Sequence, residues 1–406
     1  MSFGIALSGI DAAQSELDVT ANNIANSETT GFKQSRSEFA DLFAVSQQGV
    51  STTQAGNGVK LASVAQQFSQ GNIESTGNSL DLAISGSGFF VLSDNGTKVY
   101  TRAGEFTTDA DNYVVNEAGD RLQVYPVTTA GNFNTSTTTD LQLITSDSAP
   151  NATTTANAIF NLPSSADVPA TSTFDPTDAT SYNKSTSVTV YDSLGAAHTA
   201  SMYFVKEPTA NTWDSYLTID GTQINTTPQV LTYSSGGVLT SPTGGGVDFG
   251  NYTPSTGAND MDIGFNFASS TQYGSTFSVN SITQDGYTTG TLTGISVDST
   301  GVVQARFTNG RSISLGQVAM STFANPQGLQ KLGDTSWGET FASGQPLNAT
   351  AGSSGFGLFQ SGSLEKSNVD ITAQLVNMIT AQRFFQSNAQ VISTEDQITQ
   401  TIINIR

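Results

Sequence analysis

Few kinds of side chain able to do chemistry occur in this sequence. The 406 residues include one histidine, His198, and no cysteine. Disulfides, thiolate metal sites and cysteine nucleophiles are therefore excluded, and most zinc sites and catalytic triads need more than one imidazole. His198 stands in Leu194-Gly-Ala-Ala-His-Thr, a hairpin-like stretch, and reads as a surface turn residue. Asp and Glu total 34, so counting does not exclude a glycosidase pair, but no spacing brings two particular acids together. Sugar sites use aromatic platforms, and the only tryptophans are Trp213 and Trp337. Asp109-Ala-Asp111-Asn112 opens like a calcium loop, yet Val114 stands where the loop needs glycine, so a hairpin turn is expected. Gly86/Gly88 and Gly355/Gly357 lack the third glycine of a dinucleotide site, and no P-loop or nucleophile elbow is present. The expectation is no catalytic residue, no metal, no cofactor and no enzyme. A cell-surface carbohydrate-active β-protein stands as the competing class.

With chemistry so sparse, the elements themselves carry the reading. The net charge is -20, from 34 acids against 14 bases. Such a surface repels nucleic acid and anionic lipid. No apolar run reaches the length of a membrane span, and no basic segment precedes an apolar run at the start, so no cleaved signal peptide is expected. All 11 prolines lie from Pro126 to Pro346. Proline breaks interior helix and central strand alike, so the ends are free to be helical.

Those ends show helical periods. Phe3, Ile10, Leu17 and Ile24 recur every seven residues, with Leu7 and Ala21 between them. Asn22, Asn23 and Asn26 offer side chains that end helices, and Gly31 suits a positive φ. Near the other end, Ile371, Leu375, Met378, Phe385, Ala389, Ile392 and Ile403 form one seam, and Val391, Ile398, Ile402 and Ile405 a second stripe. Ser367 or Asn368 is placed to cap this helix, with Asp370 in its first turn. A helix so apolar around its girth needs partners. The plain alternative is a core helix of an ordinary globular domain.

Between the ends the period becomes two. Leu80, Leu82 and Ile84, then Phe89–Leu92, Tyr113–Val115 and Leu122–Tyr125, read as strands. Residues 146–283 hold only Lys184 and Lys206 as cations and read as an inserted acidic β-domain. Its strand candidates are Ser187–Val190, Met202–Val205 and Phe277–Val279. The fold class expected is mainly β with α-helical termini and nested β-domains. Residues 1–70 with 359–406 form a terminal two-helix, coiled-coil-like domain, residues 71–145 with 284–358 an inner β-domain, and residues 146–283 an outer β-domain.

The termini also carry a signature. Ser8-Gly-Ile-Asp-Ala-Ala-Gln-Ser-Glu-Leu-Asp-Val19, Ala21-Asn-Asn-Ile-Ala-Asn26 and Thr30-Gly-Phe-Lys33 closely resemble the opening of bacterial flagellar axial proteins, the rod, hook and hook-associated subunits. Gly362-Ser-Leu-Glu-Lys-Ser-Asn-Val-Asp370, Met378-Ile-Thr-Ala-Gln-Arg383 and Asn388 resemble that family's ending. The motif positions are Asn22, Asn23, Asn26, Gly31, Phe32, Leu364, Glu365, Ser367, Asn368, Val369 and Asp370. Gly71–Gly77, Leu80–Ile84, Gly88–Phe90 and Tyr100-Thr-Arg-Ala-Gly-Glu-Phe106 are shared with distal rod members. Gln284–Tyr287, Phe307–Gly310 and Phe323–Leu329 resemble hook members, and the long insertion agrees with them.

The resemblance implies a helical homopolymer around a channel. In the hook reading the tube is curved and acts as a universal joint carrying motor torque from rod to filament. The alternative within the family is a distal rod subunit. Implied partners are further copies of the chain, the distal rod, the hook cap, the hook–filament junction proteins and the type III export apparatus. The implied location is the extracellular flagellum. The expected polymerisation interface is Phe3, Leu7, Ile10, Leu17, Ile24, Ile371, Leu375, Met378, Phe385, Ile392, Ile398 and Ile402. These helices are expected to order when they meet within and between copies.

Overall fold

The computed structural model describes residues 2–42 and 56–404. It begins with α1 (Ser2–Ala25) and ends with α2 (Ile371–Asn404). Between them the described chain is strands, turns and two short 3-10 turns, so the fold is mainly β with helical ends. No helix among the described residues is long and apolar enough to cross a membrane.

Two compact units result. The first comprises Met1–Thr145, Gly294–Arg306 and Ser312–Arg406, and the second Ser146–Thr293 with Phe307–Arg311. The second is thus inserted into the first. The second unit covers the segment expected at 146–283 and continues to Thr293, where the bridges Asn151↔Tyr287 and Ser148↔Gly290 carry the pairing past the strand Ser278–Gln284. The helical ends and the inner β-region, expected as separate domains, form one compact unit.

The first unit is built on a 13-stranded sheet. Its strand Phe89–Asp94 buries Phe89, Phe90, Val91 and Leu92 together, because both faces are covered. Phe90 and Leu92 join a core with Phe106 and Phe359, whereas Phe89 and Val91 face a cluster with Tyr100, Phe323 and Trp337. Two short pairings bring the chain's end back to its beginning: Leu358–Ser361 on Leu82–Ser85, and Ser363–Glu365 on Ile73–Ser75. A hairpin of Ser35–Asp41 and Val59–Gln66 follows α1. The segment at Asp109 is a turn. Asp109 Oδ1 accepts the N–H of Asp111 at 2.9 Å and of Tyr113 at 2.7 Å, and Asn112 takes φ 63°.

The second unit packs a six-stranded and a five-stranded sheet around one core that includes Phe160, Phe204, Trp213, Phe265 and Phe267. Its strand Ala197–Lys206 alternates inward and outward side chains. His198, expected at a surface turn, lies on this strand and is 6% exposed. Its Nδ1 is 2.6 Å from Asp220 Oδ2 and its Nε2 3.3 Å from Asp192 Oδ2. Burial opposes charge on the ring, but the hydrogen bonds to Asp220 and Asp192 outweigh it and raise the imidazole pKa. Sequence reading missed this because the two carboxylates come from turns of two different hairpins.

Candidate functional site

The terminal helices form the first part of the site. α1 has 24 residues and α2 has 34, or about 36 and 51 Å at 1.5 Å per residue. They run antiparallel. Gly9 lies against the Asn388 side chain, where a Cβ would come within 2.7 Å, and Asn23 Nδ2 donates to Gln374 Oε1 at 3.2 Å. Both pairs share one register, which leaves α2 beyond Glu395 with no turn of α1 beside it.

The side chains buried in this seam are small or polar: Ala6, Ala13, Thr20 and Asn23 on α1, Gln374 and Ala381 on α2. The seven-residue period is present, but its buried phase on α1 is Ala6–Ala13–Thr20. Small residues let the two backbones approach closely. Ile10, Leu17, Ile24, Met378, Phe385 and Ile392 are half-buried. Phe3, Leu7, Ile371, Leu375, Ile398 and Ile402 are exposed, as are Val376, Ile379, Phe384 and Val391. Ile405 lies outside the described residues. Asp370, rather than Ser367 or Asn368, caps α2: its Oδ1 accepts the N–H of Thr372 at 2.8 Å and of Ala373 at 3.1 Å.

The second part is a polar junction beneath the helices. α1 ends where Asn26 donates from Nδ2 to Asn22 O at 2.9 Å. Asn23 clasps the Ser35 backbone, Nδ2 donating to Ser35 O at 2.7 Å and Oδ1 accepting Ser35 N–H at 2.8 Å. Gly31 takes φ 69°, and a Cβ there would come within 2.4 Å of Ala103 N. Only glycine fits that approach. Asn368 accepts the Gln34 N–H and donates to the carbonyls of Gln67 and Ser69.

At the centre lies Glu365, 0% exposed. Lys33 Nζ is 2.6 Å from its Oε1 and Arg102 NH1 3.1 Å from its Oε2. Gly71 N–H donates to Oε1 at 2.8 Å, and Gly31 N–H to the Glu365 carbonyl at 2.8 Å. Lys33 also donates to Ser69 O, and Arg102 to Gly86 O. Burial lowers the Lys33 pKa, and Glu365 pulls it back up. Taking either partner from such a group leaves an uncompensated buried charge, which costs about 3–5 kcal/mol. Leu364 is buried beside Glu365, Phe32 and Val369 are half-buried, and Ser367 Oγ accepts the Val369 N–H. Sequence reasoning gave no role to Lys33, Arg102 or Gln374. A buried cation carries no local mark distinguishing it from a surface one.

The segments that meet at this junction are those that known families share. Residues 3–33 match the description "Flagella basal body rod protein", and residues 360–405 "Flagellar basal body rod FlgEFG protein C-terminal". Residues 83–159 match "Flagellar hook protein FlgE/F/G D1 domain", and residues 161–287 "Flagellar basal body protein FlaE D2 domain". The Flagellar hook protein FlgE of Salmonella typhimurium is 41% identical, covering all of both chains. That of Escherichia coli is 40% identical over the same coverage. The chain belongs to the flagellar hook protein family. The relative from Borreliella burgdorferi is 33% identical, covering 98% of each chain. The crystal structure of Helicobacter pylori flagellar hook protein FlgE2 shares the fold at a TM-score of 0.54 and 16% identity, over 72% of this chain and all of that one. For this hook-family chain, the Lys33–Glu365 pair joins the two matched terminal segments, and Arg102 ties them to the matched β-region between.

Proposed function

We propose that this chain is the structural subunit of a flagellar hook, polymerising into a curved tube that acts as a universal joint between rod and filament. Its role is mechanical rather than catalytic. The observation that carries this is the division of labour on the terminal helices. Their mutual seam is closed with small and polar side chains, while Phe384 and Ile402, at 60% and 63% exposed, and their neighbours remain outside it. An apolar surface spread along two helices marks an interaction face. Further copies of the chain cover it in a tube. The helices order at assembly, since isolated helices are marginal without tertiary partners. The rigid junction at Glu365 then passes load from the helices to the β-unit.

By kinship the chain leaves the cell through the type III export apparatus without a cleaved signal. It then meets the distal rod, the hook cap and the hook–filament junction proteins in the extracellular flagellum. The acidic outer unit suits hydrated contacts that break and reform during bending. Electron microscopy of purified chain, concentrated above its assembly threshold, tests the reading. Curved tubes support it, straight stiff tubes favour a rod subunit, and a persistent monomer refutes both. Far-UV circular dichroism should show more helix in polymer than in dilute monomer. Deleting residues 146–293 should leave assembly intact and change curvature.

A further inference from the structure

α1 carries only acids, whereas α2 carries one base and, towards its end, the acids Glu395 and Asp396. α1 contains Asp11, Glu16 and Asp18 and no base, while Arg383 is the one base of α2. Arg383 is exposed and pairs with no acid among the described residues. At 100° per residue it points away from the buried positions Gln374 and Ala381, on the same side as exposed Val376 and Ile379. Asp11 and Asp18 are likewise exposed, on the side of α1 opposite Ala13 and beside exposed Leu7. Each helix thus has an outward face that its own chain leaves uncovered: one apolar with a cation, the other carrying two carboxylates seven residues apart.

We propose that the outward face of α2 in one copy seats on the outward face of α1 in the next, with Arg383 lodged between Asp11 and Asp18 of that neighbour. This rests on the hook-subunit reading. Three physical arguments carry it. First, if Val376 and Ile379 are covered, Arg383 is covered with them, and a desolvated guanidinium requires a counter-charge. Second, the register works. The intrachain pairs Gly9–Asn388 and Asn23–Gln374 place Arg383 level with Gln14, midway between Asp11 and Asp18. A neighbour at the same axial level therefore holds Arg383 between the two, with a carboxylate about 5 Å, roughly one helical turn, to either side. Third, like faces repel: two α2 faces oppose Arg383 to itself, and two α1 faces oppose acids. The contact is therefore heterologous, and a heterologous contact repeats into an open array rather than closing as a dimer.

The test is a charge swap in the full-length chain, read as the critical concentration for tube formation by sedimentation and electron microscopy. Arg383→Asp should raise that concentration at least tenfold. Asp11→Arg with Asp18→Arg should do the same, and combining all three changes should restore assembly to within about threefold of wild type. Arg383→Gln should give an intermediate rise and remove the salt sensitivity of assembly. Urea unfolding in a Trp213→Phe background, where Trp337 alone reports, checks that the first unit of each variant folds. Wild type that forms no tubes sinks the hook reading itself. Wild type that forms tubes while Arg383→Asp assembles at an unchanged concentration overturns only this contact, as for an arginine facing channel water. Loss in Arg383→Asp without rescue by the reversed acids also overturns the pairing.

Discussion

Glu365→Gln removes the one negative charge from between two buried cations while keeping the side chain's shape. In the native chain its two oxygens accept from Lys33 Nζ at 2.6 Å, Gly71 N at 2.8 Å and Arg102 NH1 at 3.1 Å. Arg102 keeps the carbonyls of Ile84 and Gly86 and cannot lose its proton. Lys33 can. Its relief is to become neutral, which from an ordinary lysine pKa costs about 4–5 kcal/mol at pH 7 and about 2 kcal/mol at pH 9. Breaking a buried ion pair costs about 3–5 kcal/mol, so the two estimates agree at neutral pH. The sign follows from linkage. In the variant the folded lysine holds fewer protons than the unfolded one, so stability rises with pH below the unfolded pKa. The variant should therefore lose about 4 kcal/mol at pH 7 and about half as much at pH 9. The assay is urea unfolding in a Trp213→Phe background, where Trp337 alone reports on the first unit. A loss below about 1 kcal/mol at pH 7 would refute the buried-triad reasoning. So would a loss that does not shrink as pH rises.

Gly31→Ala should be among the most damaging single changes in the first unit, because it combines φ 69° with a Cβ 2.4 Å from Ala103 N. A loss of at least 2 kcal/mol is expected in the same urea assay. Asp370→Ala removes the cap of α2 and should cost about 1 kcal/mol, read as helix content of assembled material on warming. In the second unit, the raised His198 pKa means its stabilisation is complete below pH 6.5 and is lost as pH rises through the folded value. Asp214, pushed up to about 6 by burial and by Glu207, also loses stability with rising pH, but between about 4 and 6. Thermal unfolding read at Trp213 in a Trp337→Phe background should fall in both windows, and His198→Gln should abolish only the upper one.

Local pattern accounts for what the residues declared by themselves. Helical ends follow from a seven-residue period in segments free of proline, and strands from alternation between them. These are properties of neighbours along the chain, so they were legible in order. The family signature was legible for the same reason: Asn22–Asn26, Thr30–Lys33 and Gly362–Asp370 are contiguous strings. Which phase of the period turns inward was not. Phe3, Ile10, Leu17 and Ile24 share a stripe, but Ala6, Ala13 and Thr20 took the seam, since close approach of two backbones selects small side chains and is a property of the pair. Nor was the fate of charge. Lys33 and Glu365 are 332 residues apart, and His198 meets Asp192 and Asp220 only through hairpin turns. Burial of an ionisable group is decided by whatever the fold brings from a distance, and only the tertiary structure holds that information.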